Sequence, residues 1–419
     1  MKFALLVLSF FFITSCSNKD EDLVDIESFL NQGERVYLNE RDNFLAKEIN
    51  KKKRVSIKKF YKYKNWSQKN HNSRNEIYPS KVKLDKSNLK VNGKFQKITK
   101  IGNKIITIDN KSNIKIYDLN FKVLNKIKLY KRKIYKNYTI LFNIATLENN
   151  LIVADNLGNI HGLSIKNLQV LWKKELGVPF KSNIKFYNDD LYLINTNSKI
   201  FSINSKTGKL NWSYETASKK LKNEFSYRLA IFDDNLIFTN DSSEIYCLDL
   251  KNNNIKWSLI FETQNFKKSP LIFEASPIVI DQTGTVFVST NYGNTYSINV
   301  NSGTVNWIKP FFSRNRVQLN NDNLLFVTDD RFVIIRKKDG TLLLNKKITN
   351  QIDKKKFILH DILIGSRHVY LFSSQGYVFK VDQNNLNKIN QIRIPKNYKN
   401  YILYNQNILI KTDRSLYRY

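Results

Sequence analysis

The stretch Asn197–Thr216, NSKIFSINSKTGKLNWSYET, contains an alternating run (Lys199 to Asn204), a Thr207-Gly208 turn and a second run that reaches Trp212. Alternation of apolar and polar residues is the period of a strand with one buried face. A near copy of the phrase returns along the chain. LIVADNLGNIHGLSIKNLQVLW ends at Trp172, LIFTNDSSEIYCLDLKNNNIKW at Trp257 and VFVSTNYGNTYSINVNSGTVNW at Trp307. With Trp212, these tryptophans fall 40, 45 and 50 residues apart, so four of the five in the chain share one repeat position.

Weaker copies extend the series. Asn125, Asn345 and Asn390 take the Trp position in three of them, and ILIKTDRSLYRY is a truncated last copy. Each unit combines an apolar strand, a polar turn, an alternating strand, a second turn and the Trp strand, with a further short strand in front. Gly208, Gly303 and Gly340 supply the left-handed backbone that the second turn requires. Four antiparallel strands repeated every 40 to 50 residues are the pattern of propeller blades. The expected fold is therefore all-β: an eight-bladed β-propeller of four-stranded antiparallel blades over residues 65–419, with Trp172, Trp212, Trp257 and Trp307 packed between neighbouring blades. The last unit has room for three strands, at Tyr401 to Tyr404, Asn407 to Lys411 and Leu416 to Tyr419. Its fourth is expected from residues 81–91, so that pairing of the N- and C-terminal strands closes the ring and leaves no open edge.

The first residues read as an export signal. Lys2 precedes an apolar run from Phe3 to Ile13, broken only by Ser9 and shorter than the roughly 20 residues a spanning helix needs. Ile13-Thr14-Ser15-Cys16 follows and resembles the bacterial lipobox, which implies cleavage after residue 15 and lipidation of Cys16. Ser17, where an Asp would signal retention, implies passage to the outer membrane. Residues 16–64 are expected to form a lipidated charged tether: acidic at Asp20, Glu21, Asp22, Asp25 and Glu27, then basic from Lys47 to Lys64. The second cysteine, Cys247, sits in an alternating run and reads as a small buried hydrophobe. The formal charge of +33 predicts attraction to anionic surfaces and says nothing of fold. Export removes nucleic acid as a partner.

The closest copy, from Asn291 to Trp307 with Ala275-Ser276-Pro277 ahead of it, resembles the pyrroloquinoline-quinone-like repeat. Asn65-Trp66-Ser67-Gln68, followed by Asn70 to Asn75, is similar to the opening of some propellers built from it. With the lipobox and eight units, the chain resembles the BamB-type outer membrane protein assembly lipoproteins. The resemblance implies a non-enzymatic scaffold without cofactors, at the periplasmic face of the outer membrane. It also implies docking on the periplasmic domains of a BamA-like barrel-assembly protein and help in delivering nascent outer-membrane proteins. The membrane contact is the N-terminal lipid.

Two other readings fit parts of the sequence. A lipid-anchored periplasmic propeller that binds another envelope ligand would share these features, since function lives in the site and not the fold. Quinoprotein dehydrogenases use the same repeat, but they carry an adjacent cysteine pair and a calcium site. This chain has only Cys16 and Cys247. Asp189-Asp190 and Asp233-Asp234 precede strands at equivalent repeat positions, where turn chemistry accounts for them. Asp329-Asp330 is a third acidic pair. His71, His161, His360 and His368 share no metal-ligand spacing. No catalytic or metal residue is expected.

Overall fold

The computed structural model describes residues 49–50, 55–57, 59–85, 87, 89–131, 139–217, 226–261, 272–349, 357–395 and 397–419. Internal contacts divide the chain into two units. Residues 47–262 with 270–419 carry the fold. Residues 1–46 with 263–269 lie outside the described residues, as do the expected signal segment and Cys16.

The described chain is all β and forms eight antiparallel sheets, each in simple up-and-down order. Seven blades run in sequence over residues 97–128, 142–175, 185–215, 229–260, 279–309, 318–347 and 359–393. Within each, the first strand (A) lies nearest the axis and the fourth (D) outermost. Burial follows the repeat: B strands such as Leu324 to Val327 are buried throughout, whereas D strands such as Val170–Glu175 and Leu210–Glu215 are half-buried on one face and exposed on the other. Sheets covered on both faces read as continuous apolar runs, and outer strands as alternation.

Blade eight uses Tyr398–Tyr404, Asn407–Thr412 and Ser415–Arg418 as strands A to C. Its D strand is Leu89–Asn92, paired antiparallel with Lys90 opposite Tyr417 and Val91 opposite Leu416. The ring therefore closes by joining the two ends of the propeller, as the truncated last repeat requires.

Two features depart from the expected layout. Ile49–Asn50 adds a fifth strand to blade six, with Ile49 opposite Asn345. Val55 is buried and its amide donates to Gln383 O (2.7 Å), while Tyr63 is fully buried. Among the described residues, contacts with the propeller thus begin at Ile49 and not at residue 65, so part of the expected tether is structured. The reason lies in its composition. Ile49, Val55, Ile57 and Tyr63 are spaced among the lysines, and lysine stems lie along apolar surface while their heads stay in water.

Candidate functional site: the filled propeller axis

Residues 63–80, YKNWSQKNHNSRNEIYPS, cross the axis and bond to every blade in turn. Tyr63 bridges to Asn405 of blade eight. Trp66 exchanges both backbone bonds with Lys100 of blade one (2.8 and 3.1 Å), and Thr146 of blade two donates to Ser67 O (2.7 Å). Lys185 of blade three donates through Nζ to Lys69 O and Asn72 O, each at 2.7 Å. Ile231 of blade four donates to Ser73 O, and Ile280 of blade five to Arg74 O. Gln318 of blade six reaches Ile77 O, and Ser80 donates to Ile364 O of blade seven. The partners sit on or beside the A strands, whose inward edges would otherwise carry unpaired groups.

The segment holds this path by local chemistry. Asn70, His71 and Asn75 are left-handed, at φ 59, 74 and 58. Asparagine tolerates that region better than other side-chain-bearing residues. Asn75 Nδ2 donates to both Leu229 O (2.9 Å) and Ile278 O (2.8 Å), stitching blade four to blade five. Tyr63, Trp66 and His71 stack edge to face or tilted, with centroids 4.6 to 5.4 Å apart. Burial, and then the nearby Lys185 charge, lower the His71 pKa to about 4. Lys100 and Lys185 are buried against carbonyl acceptors; burial lowers Lys100 to about 8 and Lys185 well below the usual lysine range.

Cavities open on both sides of this plug. The first, of about 620 Å³, lies among the A–B turns of blades five and six and is lined by Tyr61, Tyr78, Gln282, Asn321 and Lys337. The second, of about 440 Å³, opens at the other end of the A strands with Trp66, Gln68, Lys69 and Asn70 as its floor. Lys97, Lys399, Lys411, Arg316, Asp361 and Asp413 stand in its wall. Arg316 lies 3.4 Å from Asp361 and also donates to Tyr401 Oη, and Lys399 lies 3.5 Å from Asp413.

The residues expected from sequence lie elsewhere, between the blades. Trp172, Trp257 and Trp307 stand on D strands and donate through Nε1 to carbonyls of the next blade: Ser205 (3.1 Å), Val300 (2.8 Å) and Lys337 (2.7 Å). Gly208, Gly303 and Gly340 are the left-handed residues of those same next-blade turns, at φ 71, 73 and 67. A Cβ on Gly208 would fall 2.5 Å from Trp172 Cε3, and one on Gly303 2.7 Å from Trp257 Cγ. Trp212 packs toward blade four with Tyr192 and Leu250, where Asn253 (φ 57) replaces the glycine. Asn125, in the Trp position of blade one, donates to Lys166 O of blade two. These contacts order one blade against the next, away from the axis.

Cys247 is buried, its thiol raised to about 12 by desolvation. No cluster of three or more His, Cys, Asp or Glu side chains that could hold a metal occurs among the described residues. Sequence reading missed the plug and the axial lysines. The asparagines of 70–75 and the aromatics around them were the available signal.

A family model described as outer membrane protein assembly factor BamB matches residues 140–346, which are blades two to six. No curated protein matches by sequence. Among solved structures, BamB from Moraxella catarrhalis superposes with TM-score 0.64 at 11% identity, covering 80% of this chain and 99% of that one. A europium-containing methanol dehydrogenase gives 0.62 at 9% identity, covering 83% and 89%. The computationally designed Ika8 protein gives 0.59 at 9% identity, covering 81% and 98%. These likenesses describe the fold.

Proposed function

We propose that this chain, a BamB-like propeller of pyrroloquinoline-quinone-type repeats, is a non-enzymatic scaffold of outer-membrane β-barrel assembly. In this reading Cys16 carries the lipid that holds the protein at the periplasmic face of the outer membrane. The ring docks on the periplasmic domains of a BamA-like barrel-assembly protein and helps bring nascent outer-membrane proteins to it. The match of the assembly-factor family model to five consecutive blades carries the proposal.

The axis supports the same reading over the dehydrogenase alternative. Where a propeller enzyme would bind a cofactor across the ring centre, this chain lays its own residues 63–80, bonded to all eight blades. A calcium ion needs six to eight oxygen ligands. The two carboxylates at the wall of the axial cavity, Asp361 and Asp413, each already face a cation within 3.5 Å. The residues present therefore do not fit a calcium–quinone pair.

Affinity capture of the tagged, acylated protein from membranes, with mass spectrometry of what it retains, tests the proposal. Recovery of the barrel-assembly protein, lost when the propeller is removed and the N-terminal segment kept, is expected. Recovery of only lipopolysaccharide or cell-wall proteins would overturn it in favour of a binding module for another envelope ligand.

A further inference from the structure

We infer that the axial cavity above the plug is a binding site for a small multivalent oxyanion, one bearing several carboxylate or phosphate groups. The inference stands apart from the scaffold role and rests on what the ring centre collects. Five cationic side chains line the cavity, from the plug (Lys69), blade one (Lys97), the approach to blade six (Arg316) and blade eight (Lys399 and Lys411). Only two carboxylates accompany them, and these are taken by Arg316 and Lys399. Lys411 Nζ donates to a neutral acceptor, Phe95 O, at 2.8 Å. Lys69 and Lys97 have no ion-pair partner among the described residues. The Nε of Arg316 is buried and has no acceptor.

A lysine-rich composition does not account for this arrangement, because surface lysines can spread apart and these cannot. Lys69 is pinned: its carbonyl accepts from Lys185 on blade three, so its side chain stands at the bottom of the recess, reachable by water yet ringed by the cavity wall. Desolvation in this recess and the like charges beside it both lower the Lys69 pKa. Burial first, then the Lys97 and Arg316 charges, bring Lys69 down to about 7, with Asp361 acting in the opposite sense. Lys97 and Lys411 are lowered as well, Lys411 to about 8, burial being the largest cause for both. Like charges held together in a recess are relieved by a multivalent counter-charge. Asn143, Asn183, Asn315 and Asn400 add neutral polar groups to the wall. About 440 Å³ is ample for such an ion and lies within the usual range of ligand cavities. The plug closes the far side, so the ligand enters and leaves by one mouth.

The test is titration calorimetry on the full-length lipoprotein in neutral detergent at constant ionic strength, with citrate and tripolyphosphate as probes. Saturable 1:1 binding of at least one probe is expected, weakened about tenfold or more by Lys69→Gln or Lys97→Gln, as for loss of a charge-assisted contact. Lys206→Gln, in an exposed turn, leaves it unchanged. Preference for citrate identifies a carboxylate ligand, and preference for tripolyphosphate a phosphate one. In the unmutated protein, amine acylation at pH 7 followed by peptide mass spectrometry should modify Lys69 readily and be blocked by the bound probe. Absence of saturable binding of both probes, equal binding in K69Q and K97Q, or acylation of Lys69 that the probe leaves unprotected would overturn the inference.

Discussion

At the scale of single residues, the contact between Trp257 and Gly303 concentrates three requirements at one point. The turn needs φ near 73, the indole needs the space a Cβ would occupy, and the indole N–H needs Val300 O. Gly303→Ala meets the first two obstacles together and should lower unfolding free energy by about 2–4 kcal/mol in urea titration. Trp257→Ala, which leaves a void, should lose about 3 kcal/mol. Buried titratable groups set a pH dependence. His71 and His161 are both lowered to about 4, burial being the largest cause, so the fold favours their neutral forms. The unfolded chain takes up their protons between about pH 6.5 and 4, and the stability present above that window falls through it. Lys69, Lys100 and Lys411, lowered to between about 7 and 8, act on the alkaline side. Their unfolded counterparts hold protons up to about 10.4, so stability rises as pH climbs from 7. Denaturation midpoints should therefore increase from pH 4.5 to 9.5, and His161→Asn should flatten the acid side. A flat profile would mean that these groups are solvated.

At the scale of elements, the blades were legible in the sequence and the plug was not. Strands announced themselves through alternation, turn glycines and the recurring Trp. The closing strand followed from counting what the last repeat lacked, although the strand that forms, Leu89–Asn92, overlaps the expected 81–91 only at its end. Residues 63–80 carry no period, because their backbone partners lie on eight different blades and no single face is buried. The two-residue Ile49–Asn50 strand is likewise too short for any pattern. The axial lysines, spread from Lys69 to Lys411, meet only through the ring. Asn75 is the element's most exposed joint in energetic terms, since Asn75→Ala leaves two buried carbonyls without donors. At about 1–3 kcal/mol for each buried group left unpaired, the variant should lose a few kcal/mol. Limited proteolysis should then cut within residues 63–80 well before the blades. Resistance equal to the unmutated protein would show that the plug is held by its aromatic cluster instead.

At the scale of the whole molecule, a formal charge of +33 acts on how fast partners meet more than on how tightly they hold. Association with an acidic docking surface should slow by about tenfold or more as salt rises from low to physiological levels, while dissociation changes little. The ring itself depends on its two ends meeting. Deleting residues 415–419 removes strand C of blade eight and leaves Leu89–Asn92 without its sheet partner, so thermal unfolding should become broad and begin at lower temperature.

The measurement that bears most directly on the proposed scaffold role is surface-plasmon binding of the purified propeller to the isolated periplasmic domains of the barrel-assembly protein from the same cell. The account predicts a specific, saturable 1:1 complex whose on-rate falls with salt and which citrate in the axial cavity leaves intact. Sensorgrams that vanish entirely at physiological salt, or that never saturate, would contradict it and reduce the interaction to charge alone.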